Sequence, residues 1–228
     1  MGFFHQSWDD AKKKGDRDRE EKVLTPYLNC ILKSPRPNIA LAKQLADRAV
    51  SIKKSKWSLW RQAETYLMRW NHFTGDDDEE VKLDYFDVMD ELERYPGGKP
   101  FYNQIMAQEC EINDDWDAAV AYMDQANPDN GLGVTLKKWG LMLRSQRGDL
   151  IDRAVSEIQN LCASKARQQA KRVFSEAIAD LYAKALSNKG QLQKFKLKHL
   201  GLPLTEAKLE EIYLNARNSG GRSWEIDD

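Results

Sequence analysis

Apolar residues recur at three- and four-residue spacings along most of the chain. Leu41, Leu45, Ala49 and Ile52 form one stripe, and Leu59, Ala63, Tyr66, Trp70 and Phe73 a second. Ala166, Ala170, Val173, Ala177, Leu181 and Ala185 make a third, which predicts the longest helix. Residues at these offsets share one face of a helix with 3.6 residues per turn, whereas a half-buried strand alternates at every second position. The breaks fall at Ser34-Pro35-Arg36-Pro37, Thr74-Gly75, Pro96-Gly97-Gly98-Lys99-Pro100, Asn127-Pro128-Asp129-Asn130-Gly131 and Asn188-Lys189-Gly190. These are turn-forming clusters, and the stretches between them are too long for strands. Residues 194–198 alternate, but a lone short strand has no pairing partner, so this segment also reads as helix. The pattern predicts an all-α chain of about ten helices.

Capping residues support these divisions. Asp114 before the Trp116 helix and Asp149 after Gly148 can accept from free N–H groups of a first turn. Thr205 is a good N-cap, with Leu204 and Leu209 at the positions of a hydrophobic staple. The last helix is expected to end near Asn218, before Ser219-Gly220-Gly221. The organisation read from these signals is a charged N-terminal segment over 1–20, partly disordered, a single helical domain over 21–218, and a flexible acidic tail over 219–228.

One pattern repeats. Trp116, Ala119, Met123 and Ala126 stand at offsets of three, four and three; Ile151, Ala154, Ile158 and Leu161 repeat them 35 residues later, and Ile39, Ala42, Ala46 and Ala49 anticipate them 77 residues earlier. Small residues at such positions let a second helix approach closely, and a hairpin that cannot bury its apolar face alone must stack on the next. In these residues the chain resembles the tetratricopeptide repeat family, most clearly over 101–163. Gly148-Asp149 and Asn113-Asp114 stand where that repeat has its turn, and Pro128 is close to where a proline often follows. Met106 and Ala107 replace the usual Leu-Gly, Trp139 is one position off the usual aromatic, and 76–94 lacks the alanines. The resemblance implies a solenoid of stacked antiparallel hairpins that binds a protein along its inner surface. The Lys and Asn pattern with which some members clamp a carboxylate is not recognisable. A non-repeating α-helical bundle is the alternative architecture.

Composition narrows the class. The chain has 228 residues, 41% hydrophobic and 31% charged, with 35 Lys and Arg against 36 Asp and Glu for a net charge of −1. That excludes a uniformly basic protein, a collagen and a disulfide scaffold. The balance hides segregation. Residues 75–130 hold seventeen carboxylates against Lys82, Arg94 and Lys99, about −14, while 33–74 and 163–199 are each about +7. Such blocks either attract one another within the fold or offer surfaces of opposite sign to partners.

Candidate chemistry is sparse. His5, His72 and His199 lie far apart, and Cys30, Cys110 and Cys162 show no C-x-x-C spacing. No zinc, calcium, phosphate-loop or nucleophile-elbow motif is present, so neither catalytic residue, metal nor cofactor is expected. No apolar run approaches the ~20 residues of a membrane span and no signal segment is visible, which predicts a cytoplasmic chain without membrane contact. The expected activity is that of a non-catalytic adaptor or scaffold for an unidentified protein partner. Its contacts would be Arg61, Arg69, Lys137, Lys138, Arg144 and Arg147 on the first helices of the hairpins, at about 57–73, 101–112 and 132–147. Trp224 and Ile226 in the tail would be peptide-like anchors. A nucleic-acid-associated protein, for example in viral or mobile-element machinery, is the alternative. It would use the two basic segments through Lys53, Lys54, Lys56, Lys165, Arg167, Lys171 and Arg172, with tryptophans available to stack on bases. A homo-oligomeric, self-assembling structural subunit is the third reading.

Overall fold

The computed structural model describes residues 2–72, 78–126 and 131–219. It is all-α, with thirteen helices and no strand among the described residues. The chain divides into two compact units, Met1–Glu109 and Cys110–Asp228. Packing between neighbouring helices is that of a helical solenoid or bundle.

The first unit contains α1 (Gly2–Lys14), α2 (Arg17–Leu32), α3 (Ile39–Ile52), α4 (Lys56–His72), α5 (Asp78–Arg94) and most of α6 (Lys99–Ile112). From α1 to α5, each helix packs on the next. The charged N-terminal segment contains α1 and the first turn of α2. Phe4, Trp8 and Ala11 share a face at offsets of four and three, and Trp8 and Ala11 are buried with Leu24, Tyr27, Leu28 and Leu45 in the same unit. That short apolar stripe was hidden by the charges around it. Glu20 is also buried. Its carboxylate accepts two bonds from Arg48, at 2.7 and 2.8 Å, and a third from the Trp8 indole at 3.1 Å, tying α1, α2 and α3 together. A second core joins Leu59, Ala63 and Leu67 to Tyr85, Val88, Leu92 and Ile105. The turn between α5 and α6 requires glycine, since a Cβ on Gly98 would lie 1.9 Å from the Leu92 carbonyl oxygen.

The second unit contains α7 (Trp116–Gln125), α8 (Leu132–Arg144), α9 (Gly148–Ala163), α10 (Gln168–Val173), α11 (Ser175–Asn188), α12 (Lys194–Lys198) and α13 (Glu206–Ser219). The N-cap of α7 is Asp115, whose side chain accepts from Ala118 N at 3.2 Å. Asp114, expected to cap, sits one residue earlier at φ 57° and makes the turn. Asp149 lies inside the first turn of α9, whereas Thr205 does cap α13, accepting from Lys208 N at 3.2 Å. Nine of the twelve repeat positions are core, Ala119, Met123, Ala126, Ile151, Ala154 and Ile158 here and Ile39, Ala42 and Ala46 in the first unit, while Trp116, Leu161 and Ala49 are half-buried.

The expected longest helix is broken. Arg167 has φ +58°, and α10 and α11 are separated at Phe174. The buried face of α11 is Ile178, Ala179, Tyr182, Ala183, Ala185 and Leu186, so Ala185 of the expected stripe is buried while Val173 is 65% exposed. Larger side chains gain more on burial than alanine, so they set the face. Contacts fix the helix directions. Asp117 and Asp124 pair with Arg147 and Arg153, so α7 and α9 run parallel. Gln159 with Tyr182 and Asp152 with Lys189 make α9 and α11 antiparallel. Lys208 with Glu176 and Ser187 with Ala216 make α11 and α13 parallel, with α12 in the return connection between them.

Candidate protein-binding surface

The cations expected to face a partner are occupied. Arg61 pairs with Glu64 in its own helix and lies over the Trp60 ring, 4.3 Å from its centroid. Arg69 pairs with Asp84 of α5 at 3.0 Å. Lys138 bridges Asp124 at 2.8 Å and Glu157 at 2.9 Å, and Arg153 bonds the same two carboxylates. Glu157 also accepts from the indole of the buried Trp139 at 2.8 Å, which knits α7, α8 and α9 together. Burial opposes ionisation of Asp124 and Glu157, but Lys138 and the other donors outweigh it, and both carboxyls are held below their ordinary values. Arg144 bonds Glu111 at 2.9 Å, and Arg147 bonds Asp117 and Asp149, each at 2.7 Å. Lys137 is exposed on α8. Trp224 and Ile226, like Phe73 and Pro128, lie outside the described residues.

Much of the charge segregation is therefore satisfied within the units, because antiparallel neighbours from the basic and acidic blocks lie side by side. Lys54 with Glu91 and Arg69 with Asp84 join the first basic block to the acidic one across α4 and α5. Lys53 pairs with Glu21 at 3.0 Å. Lys56 lies 5.9 Å from the Trp57 ring centroid and 5.8 Å from that of Phe101. In the second basic block Lys171 is 5% exposed and points inward, with its ammonium bonding the Leu161 and Ser164 carbonyls at the end of α9. That inward capping role removes it from the expected nucleic-acid face. Lys165, Arg167 and Arg172 are exposed.

What remains open on the first unit is aromatic. The first turns of α4 and α6 bring Trp57 edge-on to Phe101, with centroids 4.7 Å apart, and Trp60 lies 5.4 Å from the same phenyl ring. Trp57 is 58% exposed, the largest side chain so exposed among the described residues. Trp60 and Trp70 pack partly buried against the second core, as their helical spacing predicts. Phe101 escaped the sequence reading because its contact with Trp57 is tertiary. Leu83 and Phe86 of α5 also escaped it, although Val81, Tyr85, Val88 and Leu92 fall at offsets of four, three and four and leave Leu83 on the far face and Phe86 at its edge beside Trp70.

Among the described residues no group of three or more His, Cys, Asp or Glu side chains could hold a metal ion, and no helix is long and apolar enough to cross a membrane. Burial pushes the Cys162 thiol up, away from the reactive thiolate. Comparison with protein-family models, with curated proteins and with solved structures finds no match for this chain.

Proposed function

We propose that this chain is a non-catalytic adaptor or scaffold that holds a protein partner on a tetratricopeptide-like helical surface, in a cytoplasmic setting that suits its three free thiols. The observation that carries the reading is Trp57, exposed beside Phe101 on a helical surface whose neighbouring cations are engaged internally. A rigid aromatic pair of this kind gains most when a partner covers it, and tryptophan is enriched among the residues that dominate interface energies. Arg69 in the first unit and Lys138, Arg144 and Arg147 in the second then act chiefly by holding neighbouring helices in register, and paired charges near Trp57 and Phe101, such as Lys54 with Glu91, set orientation.

The test is affinity purification from the native cell with the full chain and with Trp57→Ala, read by quantitative mass spectrometry. Trp57→Ala removes mostly exposed surface together with the edge-on contact to Phe101, so the thermal midpoint falls by only a few degrees and the variant stays folded at the binding temperature. The expected result is a protein whose recovery falls about tenfold or more with the variant. Identical recovery of every protein by both chains refutes the aromatic pair as the contact.

A further inference from the structure

Helix α5 has two faces. Val81, Tyr85, Val88, Met89 and Leu92 are buried. On the other side Leu83 is 63% exposed, and Phe86, 44% exposed, lies at the edge of that face, its ring 5.9 Å from that of Trp70 and 5.9 Å from the Lys82 ammonium. Positions 83 and 86 are neighbours on the helix surface, and the exposed Glu79, Glu80 and Asp87 flank them on the same side. Four further carboxylates of the helix are engaged: Asp84 by Arg69, Asp90 by Arg94, Glu91 by Lys54 and Glu93 by Lys99. Glu79, Glu80 and Asp87 make no ion pair among the described residues.

The second unit carries the complement. Between α9 and α11 the chain turns at Arg167, Lys171 is drawn inward as a cap, and Lys165, Arg167 and Arg172 are left exposed. None of these three cations makes an ion pair among the described residues. Val173, beside Arg172, is exposed although it is β-branched and apolar.

We propose that these two surfaces meet between copies of this chain: the α5 face of one molecule receives residues 165–173 of a second, head to tail. Val173 packs on Leu83 and Phe86, and the three cations face Glu79, Glu80 and Asp87. Charge decides the occupant. Three unpaired carboxylates outnumber the one cation of the face, Lys82 at the Phe86 ring, so the patch stays negative and suits a segment with unpaired cations beside an apolar side chain, which residues 165–173 supply. The contact joins different patches, so it is heterologous and can propagate from copy to copy. It is small and exposed at its rim, which makes the association weak and strongly salt-dependent.

Sedimentation velocity on the full chain over a concentration series, at low and at high salt, reads the association. The weight-average mass rises with concentration at low salt, and the rise is lost at high salt. Two charge reversals then test the surfaces: Glu79→Lys with Glu80→Lys and Asp87→Lys, and Lys165→Glu with Arg167→Glu and Arg172→Glu. All six side chains are exposed, and an unchanged helical circular dichroism spectrum verifies the folds. Each triple variant alone loses association about tenfold or more, and an equimolar mixture of the two regains it, because their reversed surfaces are again complementary. A wild-type chain that stays monomeric at low salt overturns the proposal, as does a mixture that fails to regain association. A monomer that instead retards single-stranded DNA through Lys165, Arg167 and Arg172 also overturns it and assigns that loop to a polyanion.

Discussion

Replacing Arg48 by Met isolates the contribution of the one carboxylate buried among the first three helices. Glu20 is 1% exposed, and Arg48 meets it through two parallel bonds at 2.7 and 2.8 Å. Met keeps the stem of the side chain and removes the guanidinium, which leaves Glu20 with the Trp8 indole as its remaining partner. Breaking a buried pair in this way costs about 3–5 kcal/mol, mostly the penalty of the stranded charge. The Arg48 side chain is itself 38% exposed, so water reaches the vacated side and the lower end, about 3 kcal/mol, applies. Amide hydrogen exchange reads this locally: protection of peptides from α1, α2 and α3 should fall about a hundredfold. The effect also has a pH signature. The Arg48 hydrogen bonds hold the Glu20 carboxyl below its ordinary value of 4.5. A group depressed in the folded state contributes its stability above the unfolded value and loses it as pH falls through the folded one. The gap between wild type and Arg48→Met is therefore full at neutral pH, narrows as the pH falls below the ordinary value of 4.5, and closes below the native value, where Glu20 is neutral in both. Glu20→Leu with Arg48→Met should recover most of the loss, since an apolar pair strands no charge. A loss of protection smaller than about tenfold, or a gap that persists in acid, would refute the assignment.

Two further substitutions probe single contacts. Gly98→Ala should cost more than about 3 kcal/mol by thermal unfolding, since its Cβ would meet a backbone carbonyl that has no rotamer to escape into; a variant within about 1 kcal/mol of wild type would show that the α5–α6 turn readily shifts. Lys171→Ala strands the Leu161 and Ser164 carbonyls and should cost about 2 kcal/mol with faster exchange at the end of α9, whereas Arg172→Ala one position on should stay within about 0.5 kcal/mol; equal effects would contradict the cap.

Legibility in the sequence followed the size and periodicity of the side chains. The stripes at 59–70 and 151–158 and the alanines at 42, 46, 119 and 154 mark faces that are buried in the fold, because a three-and-four spacing leaves little choice of face. The stripe at 166–185 misled for the opposite reason: four of its six members are alanine, too small to outweigh Ile178, Tyr182 and Leu186 one position round the helix. Asp114 and Asp115 are chemically equivalent caps, and only the turn geometry at φ 57° selected the second. The candidate contacts were the least legible. Arg69, Lys138, Arg144 and Arg147 read as an accessible basic face, but each meets a carboxylate fourteen or more residues away, which no local window contains.

The sequence by itself determined the all-α class, most helix boundaries and the positions of the small residues that let helices approach, since these depend on local periodicity, turn chemistry and capping. Tertiary structure alone decided which charges are spent and which remain. Antiparallel packing set Lys54 and Arg69 against Glu91 and Asp84, and drew Lys171 inward to cap α9. It left Trp57, Leu83 and Phe86 exposed on the first unit, and Arg172 and Val173 exposed on the second. A charge is neutralised by what lies within a few ångströms of it in space, and on a helical scaffold that neighbour comes from another element as often as from the same one.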